Sequence, residues 1–163
     1  MSKAKNTTRR GARELAFQVL YGLSFTPAES RADLRRAFVL SPHNTAMDEQ
    51  DLGSDPTGFA WELVEGVWSN SAALDTAISR FSHNWRVDRM GRIELTLLRL
   101  AVFEMLYRQD VPPKVAINEA LELSGQFGED SAKNFVNGIL DAAAKALESG
   151  ELAPPAGQAP ANP

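Results

Sequence analysis

An arginine cluster opens the first stretch of this chain that has helical periodicity. Arg9, Arg10 and Arg13 stand within five residues of one another, ahead of the first acidic residue. A guanidinium group donates several hydrogen bonds in one plane and binds phosphate in a bidentate manner. Two more basic residues, Lys3 and Lys5, precede the cluster. We therefore expect this part of the chain to bind a phosphate-bearing ligand.

Aromatic residues follow the arginines on the same predicted helix. At about 100° per residue, the apolar stripe centres on three residues, Ala12, Ala16 and Val19. Phe17 and Tyr21, together with Arg10, are then predicted to lie away from the core face. Exposed rings stack with unpaired bases, so the combination indicates binding of single-stranded RNA. The residues alone leave open a solvated helix face whose aromatic side chains pack on a neighbouring helix.

Composition limits the class of protein. The chain has 163 residues, a net charge of −4 and no cysteine, which suits one helical core without disulfides. The N-terminus lacks a signal-peptide pattern, and the most apolar segment, Ile93 to Leu106, contains three charged residues and is too short to span a bilayer. We expect a cytoplasmic protein with a local basic patch for selective phosphate contact.

Motifs for catalysis and metal binding are missing from the sequence. The two histidines, His43 and His83, are far apart, and without cysteine a zinc site is not expected. Neither a glycine-rich nucleotide loop nor a nucleophile motif occurs. We expect no catalytic residue, no cofactor and no metal ion.

The elements that must position these residues are predicted to be about seven α-helices, with no sheet. The first runs from about Thr8 to Phe25, and the second begins with a cap at Thr26 and a capping box completed by Glu29. Five more are predicted from Asp55-Pro56, from Ser71, from Arg89 to Arg108, from Pro113 to Phe127 and from Ser131. The helix from Arg89 is apolar on nearly all sides, which predicts a central position.

The domain limits follow from the same patterns. Residues 1–7 are expected to form a flexible basic arm, residues 8–148 a helical domain, and residues 149–163 a disordered tail rich in proline and alanine. Gly138 interrupts the last helix, and a glycine there is predicted to let another helix pack closely.

Four segments together closely resemble the NusB family of bacterial transcription antitermination factors. The segments are the arginine-rich helix ending at Tyr21, Leu98 to Met105, Pro112 to Leu123 and Phe135 to Asp141. The resemblance covers about Arg9 to Ala144. It implies an all-helical, non-catalytic protein that binds the boxA element of ribosomal RNA operon leaders. It also implies a small-subunit ribosomal protein (NusE) as partner, in an RNA polymerase complex that reads through terminators.

The resemblance also implies roles for particular residues. It places RNA contacts at Arg9, Arg10, Arg13, Lys114 and Phe135, and the NusE contact on the side bearing Tyr21 and Glu94. Each residue also has a structural alternative: a solvated lysine at 114, a core ring at 135, a half-buried ring at 21 and a local ion pair at 94.

One position departs from the family pattern. Asn134 stands where the family commonly has a basic residue before Phe-Val-Asn-Gly, and Lys133 is one residue earlier. One residue turns a helical side chain by about 100°, so whether Lys133 replaces the expected basic residue stays open.

Two other classes of protein remain as alternatives. A NusB-like domain also begins some ribosomal RNA cytosine methyltransferases, but no cofactor-binding domain follows in this sequence, so we do not expect a fused enzyme. The other alternative is a helical adaptor that binds only protein and whose arginines serve solubility.

Overall fold

The computed structural model describes residues 8–83 and 86–154, and seven α-helices run through them. They are α1 (Arg9–Leu23), α2 (Arg31–Val39), α3 (Phe59–Ser69), α4 (Ser71–Phe81), α5 (Arg92–Tyr107), α6 (Pro113–Phe127) and α7 (Asp130–Ser149). Two short 3₁₀ helices, Glu49–Gly53 and Val87–Arg89, lie in connections. The described part of the chain contains no β-strand, and the prediction of an all-α protein with about seven helices is confirmed. The arm at residues 1–7 and the tail from residue 155 lie outside the described residues.

The chain forms two compact units, one up to Gly66 and the other from Val67. In the first unit, α1 packs against α2, and α2 packs against the 3₁₀ helix Glu49–Gly53. The ring of Phe38 meets the ring of Trp61 edge-on, with the ring centroids 5.4 Å apart, and both side chains are buried. The first unit therefore buries the face of α2 that carries Leu34, Phe38 and Val39.

The beginnings of α1 and α2 depend on local caps. Thr8 Oγ1 accepts a hydrogen bond from the Gly11 amide at 3.0 Å, which fixes the first turn of α1 close to the predicted start. The predicted start of α2 at Thr26 is wrong, because Ser30 provides the cap. Ser30 Oγ accepts from the Asp33 amide, one residue before the buried Leu34.

Two other helix starts differ from prediction because the expected capping carboxylates bind arginines. Asp55 was expected to begin α3, but it accepts hydrogen bonds from Arg31 and Arg35, and the helix starts at Phe59. Asp88 precedes the predicted start of α5 at Arg89 and has the residue type of a cap, but it forms a bidentate pair with Arg86, and Gly91 becomes the residue before the helix. An ion pair with a nearby guanidinium group replaced the cap in both places.

The ion pairs of Asp55 link α2 to the segment before α3. Arg31 Nη2 lies 2.7 Å from Asp55 Oδ2, and Arg35 Nη2 lies 2.9 Å from Asp55 Oδ1. Hydrogen bonds from Arg31 and then Arg35 lower the pKa of Asp55 below its usual value.

The lowered pKa of Asp55 gives a pH dependence of stability. Because the folded-state pKa lies below the unfolded-state pKa, the stabilisation is present above the unfolded-state pKa of about 3.9. It is lost as the pH falls through the lower, folded-state value. Urea unfolding between pH 7 and pH 2 should show this loss, and Asp55→Asn should remove that part of the acid dependence. An identical acid profile in the variant would contradict the assignment.

Helix α5 lies at the centre of the second unit, where α4, α6 and α7 all pack against it. Its side chains from Thr96 to Tyr107 are buried except for Arg99, and Leu97 and Leu98 are fully buried. Arg99 forms two hydrogen bonds of 2.7 Å with the Asp75 carboxylate, which tie α5 to α4. The prediction of a central helix from its apolar sequence is confirmed.

The end of α7 is more ordered than predicted. Gly150, at φ 86°, takes the left-handed conformation that ends the helix. Leu152 is then buried, and its amide donates to the Ala146 carbonyl at 3.0 Å. Arg80 donates to the Glu151 carbonyl at 3.1 Å. The expectation of disorder from residue 149 is therefore wrong for residues 149–154.

The prediction for Gly138 is also wrong. The residue is exposed, and a Cβ built on it would have no atom within 4 Å. The described residues therefore place no neighbouring helix against this position, and close helix packing does not explain the glycine.

Candidate RNA and partner surfaces

The arginine cluster lies at the beginning of α1, and the structure places two of its side chains on one aromatic ring. Arg9 and Arg13 are one turn apart, and their guanidinium carbons lie 4.4 Å and 5.2 Å from the centroid of Phe59. Arg9 and Arg10 are exposed, whereas Arg13 is only 4% exposed. Two arginines of the cluster are thus exposed, and the third lies beneath the surface.

Phe17 does not lie where the helical wheel placed it. Its side chain is only 2% exposed, and its ring stacks on Tyr21 with the centroids 5.9 Å apart. The buried face of α1 is wider than the predicted stripe, since it includes Arg13 and Phe17 as well as the alanines. The expected position of Phe17 away from the core is therefore wrong, and the ring has no open face for a base.

Tyr21 is half-buried and continues into a more exposed aromatic residue. Its ring meets Phe25 edge-on, with the centroids 5.1 Å apart, and Phe25 is 57% exposed. Phe17 and Tyr21 lie on α1 and Phe25 follows its end, and the three rings, spaced by four residues, form a continuous row. The sequence reasoning missed Phe25 as a surface residue, although this spacing was visible.

Glu94 lies in the first turn of α5 and is half-buried. Its carboxylate folds back over Gly91 and occupies the space that a side chain at position 91 would need. The absence of a side chain at Gly91 therefore permits the observed position of the Glu94 carboxylate.

The second group of predicted RNA-binding residues lies on α6 and α7, which pack together. Lys114 is exposed in the first turn of α6, and Phe135 is half-buried on α7. The ammonium nitrogen of Lys133 lies 3.7 Å from the position of a Cβ built on Gly125, in the last turns of α6. The negative end of a helix dipole favours a cation near this position. Asn134 is exposed on α7.

The predicted site residues thus fall into two groups. The first unit carries Arg9, Arg10, Arg13, Phe17 and Tyr21, and the second carries Glu94, Lys114 and Phe135. Lys3 and Lys5 lie outside the described residues. Phe59, which the sequence analysis did not single out, contacts the arginine cluster and is the main addition that the structure makes.

Two further properties of the described residues concern metal binding and membrane crossing. Within residues 8–83 and 86–154, no group of three histidine, cysteine or acidic side chains is placed to hold a metal ion. In the same residues, none of the helices combines the length and the apolar character that crossing a bilayer requires.

The fold and the arginine cluster define a class: an all-helical protein with a cationic helix start that suits a polyanion. Comparison with known sequences supplies the family. The profile of the NusB family matches residues 10–145. The chain belongs to the NusB family.

Individual relatives agree with this assignment. The chain is 73% identical over 153 residues to a transcription antitermination protein NusB of Desulfovibrio desulfuricans, with 93% of each chain covered. It is 46% identical to the protein of that name from Myxococcus xanthus, with coverage of 85% and 96%. Among solved structures, it is similar to NusB of T. maritima at 29% identity, with a TM-score of 0.71 and coverage of 91% and 100%.

A second similar structure contains a partner protein and RNA. The chain is similar to a protein chain in a crystal structure of the antitermination factors NusB and NusE in complex with double-stranded RNA. The sequence identity is 27%, the TM-score is 0.67, and 85% of this chain and 96% of that chain are covered.

Proposed function

We propose that the protein is a non-catalytic, cytoplasmic transcription antitermination factor. It binds the boxA element of ribosomal RNA operon leaders together with the small-subunit ribosomal protein NusE. The complex then joins RNA polymerase and supports read-through of terminators. The observation that carries the proposal is the exposed pair Arg9 and Arg10 at the beginning of α1, with Arg9 held against Phe59. The family assignment and the NusB–NusE–RNA complex of a similar protein support it.

The RNA-binding mechanism divides the work among the basic and aromatic residues. Arg9, Arg10 and Lys114 are exposed and bind phosphates through charge-assisted hydrogen bonds. Phe135, a half-buried residue of α7, stacks on an unpaired base. Lys3 and Lys5 add positive charge ahead of α1 for contact with the phosphate backbone.

The two buried residues of the predicted site contribute to binding indirectly. Arg13 is 4% exposed and lies against the Phe59 ring, so it contributes positive potential from below the surface. Phe17 supports the aromatic row through its stack on Tyr21. Arg13 therefore assists RNA binding without a bidentate phosphate contact, and Phe17 supports Tyr21 without stacking on a base.

NusE binds through contacts with Tyr21 of the first unit and with Glu94 of the second. The half-buried ring of Tyr21 presents an apolar edge and a hydroxyl, and the Glu94 carboxylate offers a charge partner for a basic residue. When NusE also contacts the RNA, each contact raises the effective concentration for the other. RNA and NusE should therefore bind cooperatively.

Filter binding of a boxA-containing RNA, with and without NusE, tests the proposal. We expect saturable binding of the single-stranded RNA by the protein alone and a lower Kd when NusE is present. A duplex of the same sequence and a single-stranded RNA of scrambled sequence serve as comparisons. RNA binding that is absent under both conditions would favour the protein-only adaptor and contradict the proposal.

The position of the Glu94 carboxylate gives a prediction for the NusE surface. Gly91 has φ −62°, a backbone conformation that alanine also adopts, so Gly91→Ala should fold normally. The added methyl group displaces the flexible carboxylate. NusE affinity should fall roughly 3- to 10-fold, as expected for a charge-assisted contact, while the free energy of unfolding changes by less than about 1 kcal/mol.

Calorimetric titration of NusE into each variant measures this effect. Gly53→Ala is the matched control, because a Cβ built on Gly53 has open space around it and the residue lies far along the chain from Glu94. Unchanged NusE affinity in Gly91→Ala would show that the Glu94 position does not matter for docking.

A further inference from the structure

The ring of Phe59 lies against two arginines of α1, Arg9 and Arg13. The guanidinium carbon of Arg9 lies 4.4 Å from the ring centroid, and that of Arg13 lies 5.2 Å from it. The face of an aromatic ring carries negative potential and attracts a cation at these distances. Each arginine therefore has an electrostatic reason to stay over the ring.

We infer that Phe59 is a positioning residue of the RNA-binding surface, and this inference rests on the proposed function. The ring restricts the long, flexible side chain of Arg9 before RNA arrives. Ordering a rotamer-rich side chain opposes binding, so a side chain that is already ordered binds with less entropic loss. Phe59 touches no RNA in this mechanism and acts through Arg9 and Arg13.

The burial pattern supports this division of roles. Arg13 is 4% exposed, whereas Arg9 is exposed, although both lie against the same ring. Arg13 therefore forms an inner layer with Phe59, and Arg9 presents its outer side to the solvent. An RNA base or phosphate that approaches α1 meets Arg9 first.

The chain just before α3 explains how the ring reaches this position. Pro56 is buried, and Gly58 has φ 104°, a conformation that favours glycine. The turn ends at Phe59, the first residue of α3, and Phe59 is half-buried rather than enclosed. The turn thus presents the ring at the edge of the first unit, beside the start of α1.

Substitution of Phe59 tests the inference through RNA affinity. Phe59→Leu keeps an apolar side chain but removes the ring, and the Kd for single-stranded boxA RNA should rise roughly 5- to 30-fold. Phe59→Tyr keeps the aromatic face and should retain wild-type affinity. Phe81→Leu is the matched control, because Arg80 lies 5.4 Å from the Phe81 ring in the second unit. That variant should bind RNA normally.

A second variant tests the inference if Phe59→Leu does not fold. It keeps the shape of the ring and changes its charge distribution. Pentafluorophenylalanine at position 59 preserves the packing but reverses the potential on the ring face. It should weaken RNA binding and leave the circular dichroism spectrum unchanged. Wild-type RNA affinity in this variant would overturn the inference.

A double-substitution comparison separates positioning from a general effect on the fold. In an Arg9→Ala background, Phe59→Leu should weaken RNA binding much less than in the wild-type background, because the main side chain that it positions is gone. Equal effects in both backgrounds would overturn the inference. The proposed function would survive that result as long as Arg10→Glu weakens RNA binding. If Arg10→Glu has no effect, the proposed function itself fails.

Discussion

Arg10→Glu is expected to raise the Kd for single-stranded boxA RNA by about 10- to 100-fold, since it removes a charge-assisted contact and adds repulsion from phosphate. Arg10 is exposed in the first turn of α1. An acidic residue in the first turn interacts favourably with the helix dipole, so the free energy of unfolding should stay within about 0.5 kcal/mol of the wild-type value. Filter binding and urea unfolding of the same preparation measure the two quantities.

Arg36→Glu is the matched control for this charge reversal. Arg36 is exposed on α2 in the same compact unit, and its substitution makes the same change in net charge. RNA affinity should stay near the wild-type value if the position of the charge matters. Equal losses in both variants would mean that overall charge, rather than the start of α1, controls binding. Arg13 is unsuitable for this experiment, because a glutamate at this buried position would also destabilise the fold.

Leu98→Ala is expected to lower the free energy of unfolding by about 3 kcal/mol, the middle of the range for a fully buried leucine. Leu98 is 0% exposed on α5, the helix against which α4, α6 and α7 pack. The substitution leaves a cavity at the centre of the second unit, and rigid helices around it can close the cavity only in part. The midpoint of urea unfolding measures the loss.

Val115→Ala provides the control for apolar truncation. Val115 is 40% exposed in the first turn of α6, so its substitution should change the free energy of unfolding by less than about 0.5 kcal/mol. If Leu98→Ala were as mild as Val115→Ala, the central role of α5 in the second unit would be wrong.

The helices were predictable where sequence signals are local and agree with one another. In α5, an apolar sequence on nearly all sides required burial on nearly all sides, and the helix is central. In α6, Pro112 and Pro113 end the preceding helix and allow a new one, because proline lacks an amide donor that the first turn does not need. The bounds of both helices follow within a few residues.

The predictions that failed depended on partners distant in sequence. Asp55 has the residue type of a helix cap, but Arg31 and Arg35, more than 19 positions earlier, compete for its carboxylate. Phe17 was misplaced because the helical wheel centred the stripe on small alanines, whereas the structure buries a wider face. Phe59 could not be linked to the arginines, since cation–π contacts leave no fixed spacing in a sequence.

For the candidate site, too, local sequence features could be predicted and contacts between distant residues could not. The arginine cluster was visible as a run of charge, and the likeness to the NusB family gave it a function. The sequence could not tell which guanidinium groups are accessible, because that depends on the turn before α3 and on the ring that it presents. Accessibility separates Arg9 and Arg10 from Arg13, and it decides which substitutions test RNA binding without disturbing the fold.

The salt dependence of RNA binding tests most directly whether the start of α1 holds the RNA backbone. The logarithm of the association constant for single-stranded boxA RNA should fall linearly with the logarithm of the KCl concentration. Each phosphate contact adds about 0.7 to the slope for a single strand. Replacing Arg9 and Arg10 by glutamine should therefore make the slope about 1.4 units shallower. A flat slope for the wild-type protein, or equal slopes for the two proteins, would contradict the account.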